Sequence, residues 1–170
     1  MSYALQCRLT TKDYAILETM LERCAEPNGP YASLLRRKLS GAGIWLNADI
    51  PPDAVTINTR VTFRANDGQA QTRIVAQAPI HGLVGLLLPV TTLRGLALLG
   101  LSKGESITFD EGDGTDTVLT VTKVAYQPEA AQREALRQRV PQGPRLVYSA
   151  AEPAYGPMRA LDEDPGPSAA

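Results

Sequence analysis

Apolar side chains recur at intervals of three and four over residues 12–25, where Tyr14, Leu17, Leu21 and Cys24 share one stripe and predict an amphipathic helix. Thr11 is a suitable N-cap for it, and Pro27-Asn28-Gly29-Pro30 stops it. A second helix is predicted over Tyr31–Ser40, with Tyr31, Leu34, Leu35 and Leu39 on one side and Gly41 as its stop. Two short helices joined by a tight turn make a hairpin, because each stripe can cover the other. Ahead of them, Tyr3, Leu5, Cys7 and Leu9 alternate with small or polar residues, as in a short strand or an extended lead-in.

After Pro51-Pro52 the period changes from three and four to two. Val55–Phe63 alternates as a strand and turns at Asp67-Gly68 into a second, Thr72–Ala78. Leu83–Val90 is a third, Leu93–Leu99 a turn of helix, and Glu105–Phe109 pairs with Thr117–Tyr126 across Gly112-Asp113-Gly114. An antiparallel sheet with one small helix is the expected result. Gln127–Arg139 is rich in helix formers. Beyond Pro141 the chain is dominated by Pro, Gly and Ala and predicts a disordered tail.

Of the 170 residues 44% are hydrophobic and 21% charged, which is ordinary globular usage. The 17 Lys and Arg balance 18 Asp and Glu without clustering, so no segment is by itself a handle for nucleic acid or membrane. The longest apolar run, Leu83–Val90, is far short of the roughly 20 residues of a membrane-spanning helix. The start lacks the basic and apolar regions of a secretion signal, so a cytoplasmic protein is expected. Cys7, Cys24 and the single His81 cannot close a four-ligand zinc site. Gly95 and Gly100 frame no phosphate loop, because the Lys and Ser/Thr that meet phosphate and magnesium are missing. Ser102, Ser106 and the cysteines lie in no nucleophile motif, and His81 reads as a loop residue. No catalytic, cofactor or metal site is expected.

Three separated blocks, Val55–Arg64, Gly95–Ile107 and Val124–Ala131, closely resemble the Rnk proteins, regulators of nucleoside diphosphate kinase related to the bacterial Gre transcript-cleavage factors. The resemblance runs over about residues 10–132. It implies an α+β fold: a short N-terminal helical hairpin, as a coiled coil, over 1–50 and an FKBP-like GreA/GreB-type domain over 51–132; the helical extension and tail over 133–170 follow from the residues alone, since the tail has no counterpart in that family. It also implies RNA polymerase as partner near the secondary channel, competition with Gre factors, nucleic acid met through the polymerase alone, and a monomer.

Gre factors present acidic residues at the hairpin tip to hold a second magnesium, which activates water for phosphodiester hydrolysis. The candidates near this tip are Glu22 and Glu26, four apart and read on one helical face, for which a solvated face is the plainer account. About 14 residues give a helix of roughly 20 Å, short for reaching a catalytic centre. A non-cleaving regulator is therefore expected, with a true cleavage factor as the alternative. Arg36, Arg37 and Lys38 are candidate partner contacts, although three successive residues point different ways around a helix. An FKBP-like fold also raises peptidyl-prolyl isomerase, which needs several aromatics around a proline ring. Residues 55–126 carry Phe63, Phe109 and Tyr126.

Overall fold

The computed structural model describes residues 7–80, 83 and 85–139. The lead-in before Cys7, His81 and the tail from Val140 onward lie outside them. The chain runs as β1 (Cys7–Thr10), α1 (Thr11–Glu22), α2 (Pro30–Ser40), β2 (Ala42–Trp45), β3 (Arg60–Ala65), β4 (Gln71–Ala76), β5 (Leu87–Pro89), α3 (Leu93–Leu98), β6 (Ser106–Asp110), β7 (Asp116–Tyr126) and α4 (Pro128–Arg139).

The hairpin forms much as its stripes predict. Thr10, one residue before the expected cap, accepts a hydrogen bond from the Asp13 amide at 3.0 Å and starts α1. The helix ends at Glu22, and the Cys24 amide turns back to the Leu21 carbonyl at 3.3 Å, so Cys24 leaves the stripe. Pro30 opens α2, where a missing amide proton costs nothing, and Gly41 closes it. A strand that the sequence pattern does not reveal, β2, follows directly and pairs parallel with β1, Cys7 against Ala42 through Thr10 against Trp45. Its Gly43, Ile44 and Trp45 are exposed, so no alternation marks it.

The second sheet is ordered β5-β4-β3-β7-β6. It is mixed, which corrects the antiparallel expectation: β5 pairs parallel with β4, Ile74 against Leu87 through Ala76 against Pro89, and a two-residue hairpin can join only antiparallel strands. Pro89 fits this edge, where no partner strand needs its amide. The strand expected from Val55 begins only at Arg60. The hydroxyls of Thr56 and Thr59 lie 2.9 Å apart, and the Thr59 amide donates to the Thr56 carbonyl, folding 56–59 into a turn. Val55, Ile57, Val61 and Phe63 are nevertheless all buried, which is why their alternation resembles one strand.

Leu17, Leu34 and Leu35 of the helices pack in the same cluster as Val61, Phe63, Leu96, Leu119 and Val121 of the sheet and α3. Leu21 is only half-buried, so Leu17 does more of the hairpin's packing. The hairpin thus roots in the sheet's core. Gln127 secures the start of α4 by donating to the carbonyls of Pro51 (2.8 Å) and Ala54 (2.7 Å).

Candidate functional site

The free end of the hairpin is the turn 23–29. Glu22 and Glu26 are both exposed there. They do not share a helical face, because α1 stops at Glu22 and Glu26 lies in the turn. Glu26 folds toward the start of α2: its carbonyl accepts the Gly29 amide at 3.0 Å, and a Cβ built on Gly29 would lie 3.1 Å from its Oε2. A carboxylate at a helix N-terminus is favoured by the helix dipole. Among the described residues no three His, Cys, Asp or Glu side chains gather as metal ligands.

The three basic candidates of α2 separate. Arg36 is exposed. Arg37 reaches the sheet edge, donating to the Thr108 carbonyl at 2.8 Å. Lys38 is no partner contact: it is fully buried and donates from Nζ to the carbonyls of Ala97, at 2.7 Å, and Leu99. Those oxygens belong to the C-terminal end of α3, where carbonyls lack helical partners and a cation is favoured. Burial pulls the ammonium down to about 8, with the neighbouring Cys7 acting in the opposite direction.

Beside α1 a groove of about 810 Å³ is lined by Ile16, Met20, Cys24 and Tyr31, with Lys12 and Arg23 also along it and Gln77 and Thr91 on its far wall. Tyr31 donates to the Val90 carbonyl at 2.7 Å, joining this wall to the segment after β5. No aromatic cage exists for a proline ring among the described residues of 55–126. Phe63 and Phe109 are buried in the core, and Tyr126 is exposed.

Asp13 was not singled out by the sequence reading. It is buried, and its Oδ2 accepts the Ile57 amide at 3.4 Å. Burial above all, with nearby Glu129 adding to it, raises its carboxyl to about 6 against the opposing hydrogen bond from Ile57. The signal was its place four residues before Leu17, on the apolar stripe. A carboxyl raised in the folded state holds a proton that the unfolded chain releases, so stability falls as pH rises from about 4 to about 6. Asp13→Asn should flatten that fall and be more stable at pH 7 by about 1–3 kcal/mol. Denaturant midpoints at pH 4.5 and 7 for both proteins check this, and parallel pH profiles would contradict it.

No family model matches the chain. It is 35% identical over 116 residues to the regulator of nucleoside diphosphate kinase of Escherichia coli K12, covering 68% of this chain and 85% of that protein. The Shigella flexneri regulator matches to the same extent. Among solved structures, a prokaryotic transcription elongation factor GreA/GreB from Nitrosomonas europaea is similar with a TM-score of 0.52 and 25% sequence identity, covering 71% of this chain and 98% of that one.

Proposed function

Because this chain belongs to the family of regulators of nucleoside diphosphate kinase and shares its fold with a transcription elongation factor, we propose that it is a non-cleaving regulator of elongation that binds RNA polymerase. In this reading the sheet, as an FKBP-like domain, docks near the secondary channel and the hairpin, as a short coiled coil, occupies its entrance. It competes there with Gre-type factors in the cytoplasm. Its connection to nucleoside diphosphate kinase runs through transcription.

The observation that carries the reading is the hairpin end. The likeness to the GreA/GreB factor covers 98% of that chain, yet the two carboxylates that could serve cleavage sit here on separate segments. One of them is folded against α2. A second magnesium needs carboxylates that converge. The twelve residues of α1 add about 18 Å of reach. The groove beside α1 supplies apolar surface that a docking partner can bury.

The test is a stalled polymerase complex carrying labelled RNA. The protein should not shorten backtracked RNA, and it should inhibit shortening by a Gre factor. Glu22→Gln and Glu26→Gln should leave that inhibition nearly unchanged, whereas Arg36→Ala with Arg37→Ala should weaken it by about tenfold, near 1.4 kcal/mol of binding. Magnesium-dependent shortening lost on neutralising either carboxylate would make the protein a cleavage factor instead. Failure to bind polymerase would end both readings.

A further inference from the structure

The charges of this chain, balanced along the sequence, are not balanced across the sheet. On the face opposite the core, β3 places Arg60, Thr62 and Arg64, and β7 places Tyr126 opposite Arg60, Lys123 opposite Thr62 and Thr120 opposite Arg64. Arg60, Arg64 and Lys123 are exposed, and among the described residues none is in an ion pair. Arg64 donates from its Nε to the Gly68 carbonyl at 3.0 Å. At the far end of the face Asp110 and Asp116 stand opposite each other, Asp110 engaged in its own turn, where it accepts the amides of Gly112 and Gly114 at 2.8 and 3.1 Å.

Arg60 and Arg64 lie four positions apart on β3, about 13.6 Å at 3.4 Å per residue, and Lys123 of the neighbouring β7 stands level with Thr62 midway between them. At the Arg60 end is a shallow pocket of about 430 Å³ lined by Asn58, Arg60, Ile74, Ala125 and Tyr126. Tyr126 is 51% exposed and lines this pocket. Asn58 is held at φ 68°, a left-handed conformation uncommon outside glycine, by the turn 56–59. This places a residue with amide donors and an acceptor at the rim of the pocket. Along the row the hydroxyls of Thr62 and Thr72 bond each other at 2.8 Å, and those of Thr120 and Ser106 do the same at 2.8 Å.

We propose that this face binds single-stranded RNA, one base stacking on Tyr126 beside Asn58 and the backbone running along Arg60, Lys123 and Arg64. Regularly spaced cations with a flanking aromatic suit a single strand, whose bases are free to stack. The paired hydroxyls keep oxygen lone pairs that can accept from a ribose 2′-hydroxyl, which DNA lacks. RNA binding is separate from polymerase binding and is measured without the polymerase, so the failure of one leaves the other standing.

The test is fluorescence anisotropy of the full chain with a labelled single-stranded RNA of about twelve nucleotides, within the span of known single-strand sites. Three phosphate contacts predict a slope of about −2 in the logarithm of affinity against the logarithm of salt concentration. The combined variant Arg60→Gln, Arg64→Gln, Lys123→Gln should bring that slope close to zero. Tyr126→Ala should weaken binding by about 5- to 150-fold, and Tyr126→Phe should restore it. The same sequence as DNA, and duplex RNA, should bind less tightly. Absence of binding at low salt, equal binding of either control, or a loss shared by Tyr126→Ala and Tyr126→Phe would overturn the proposal.

Discussion

Gly95→Ala is expected to cost about 3 kcal/mol or more and to lower the unfolding midpoint accordingly. Gly95 lies in the first turn of α3, fully buried, and a Cβ there would stand 2.0 Å from the Pro89 carbonyl oxygen and 2.6 Å from its carbon. Both obstacles are backbone, so no side chain can rotate away. Pro89 is held in the β4–β5 pairing, and its carbonyl also accepts the Thr92 amide at 3.0 Å and the Thr92 hydroxyl at 2.7 Å. The same Thr92 hydroxyl accepts the Gly95 amide at 3.2 Å and caps α3. Moving α3 outward would break this cap and uncover Leu96, Ala97 and Leu98. Gly43→Ala is the control, because its added carbon meets nothing nearer than 3.5 Å and should change stability by within about 0.5 kcal/mol. Equal midpoints for the two variants would show that β5 and α3 are not packed this closely.

Lys38→Ala carries the second large expectation, a loss of about 3–5 kcal/mol. It empties the volume of a fully buried side chain and leaves the carbonyls of Ala97 and Leu99 without their donor. Lys38→Met restores most of the volume but not the donor, so the difference between the two variants separates packing from hydrogen bonding. The pH dependence provides an independent check. The folded-state value of about 8 lies below the ordinary lysine value, so between about 8 and about 10 the unfolded chain binds more protons and this group makes stability rise with pH. Burial raises the Cys7 thiol, and raises Tyr31 to about 12, so both act in the opposite direction at alkaline pH. Lys38 is therefore isolated as the difference between wild type and Lys38→Met, taken at pH 7.5 and pH 10. A difference that does not change between those values would contradict the buried ammonium.

The elements that the sequence shows clearly are those whose signal is local. The stripes at Leu17 and at Leu34 and Leu35, the Asp67-Gly68 turn, and the capped α3 all follow from spacing and turn chemistry. The features it does not show depend on partners distant in sequence. β2 is exposed and exists through its pairing with β1, more than thirty residues earlier. The parallel orientation of β5 against β4 is likewise encoded by no alternation. The two buried charges are intermediate cases. Asp13 lies one turn before Leu17, and Lys38 follows Leu34 by four and Leu35 by three, so each occupies an apolar stripe. A charge on an apolar stripe is a sign of burial with a partner, and Lys38 read as part of a basic run conceals that sign. The outward cations of β3 and β7 could not be grouped before their register was known, because Arg60 and Tyr126 are far apart in the chain.

The parallel pairing of β1 with β2 fastens the two roots of the hairpin to each other, Thr10 against Trp45 at one end and Cys7 against Ala42 at the other. The root is further tied to the body where the Arg8 amide donates to the Gly100 carbonyl at 2.8 Å and the Arg8 guanidinium meets Glu105 at 2.8 Å. Hairpin length is consequently a modular quantity: seven residues added to each helix beyond Leu21 and before Tyr31 would advance the tip by about 10 Å while the anchorage keeps its register. A graded set of such extensions would turn this molecule into a calibrated depth gauge for whatever cavity receives its tip.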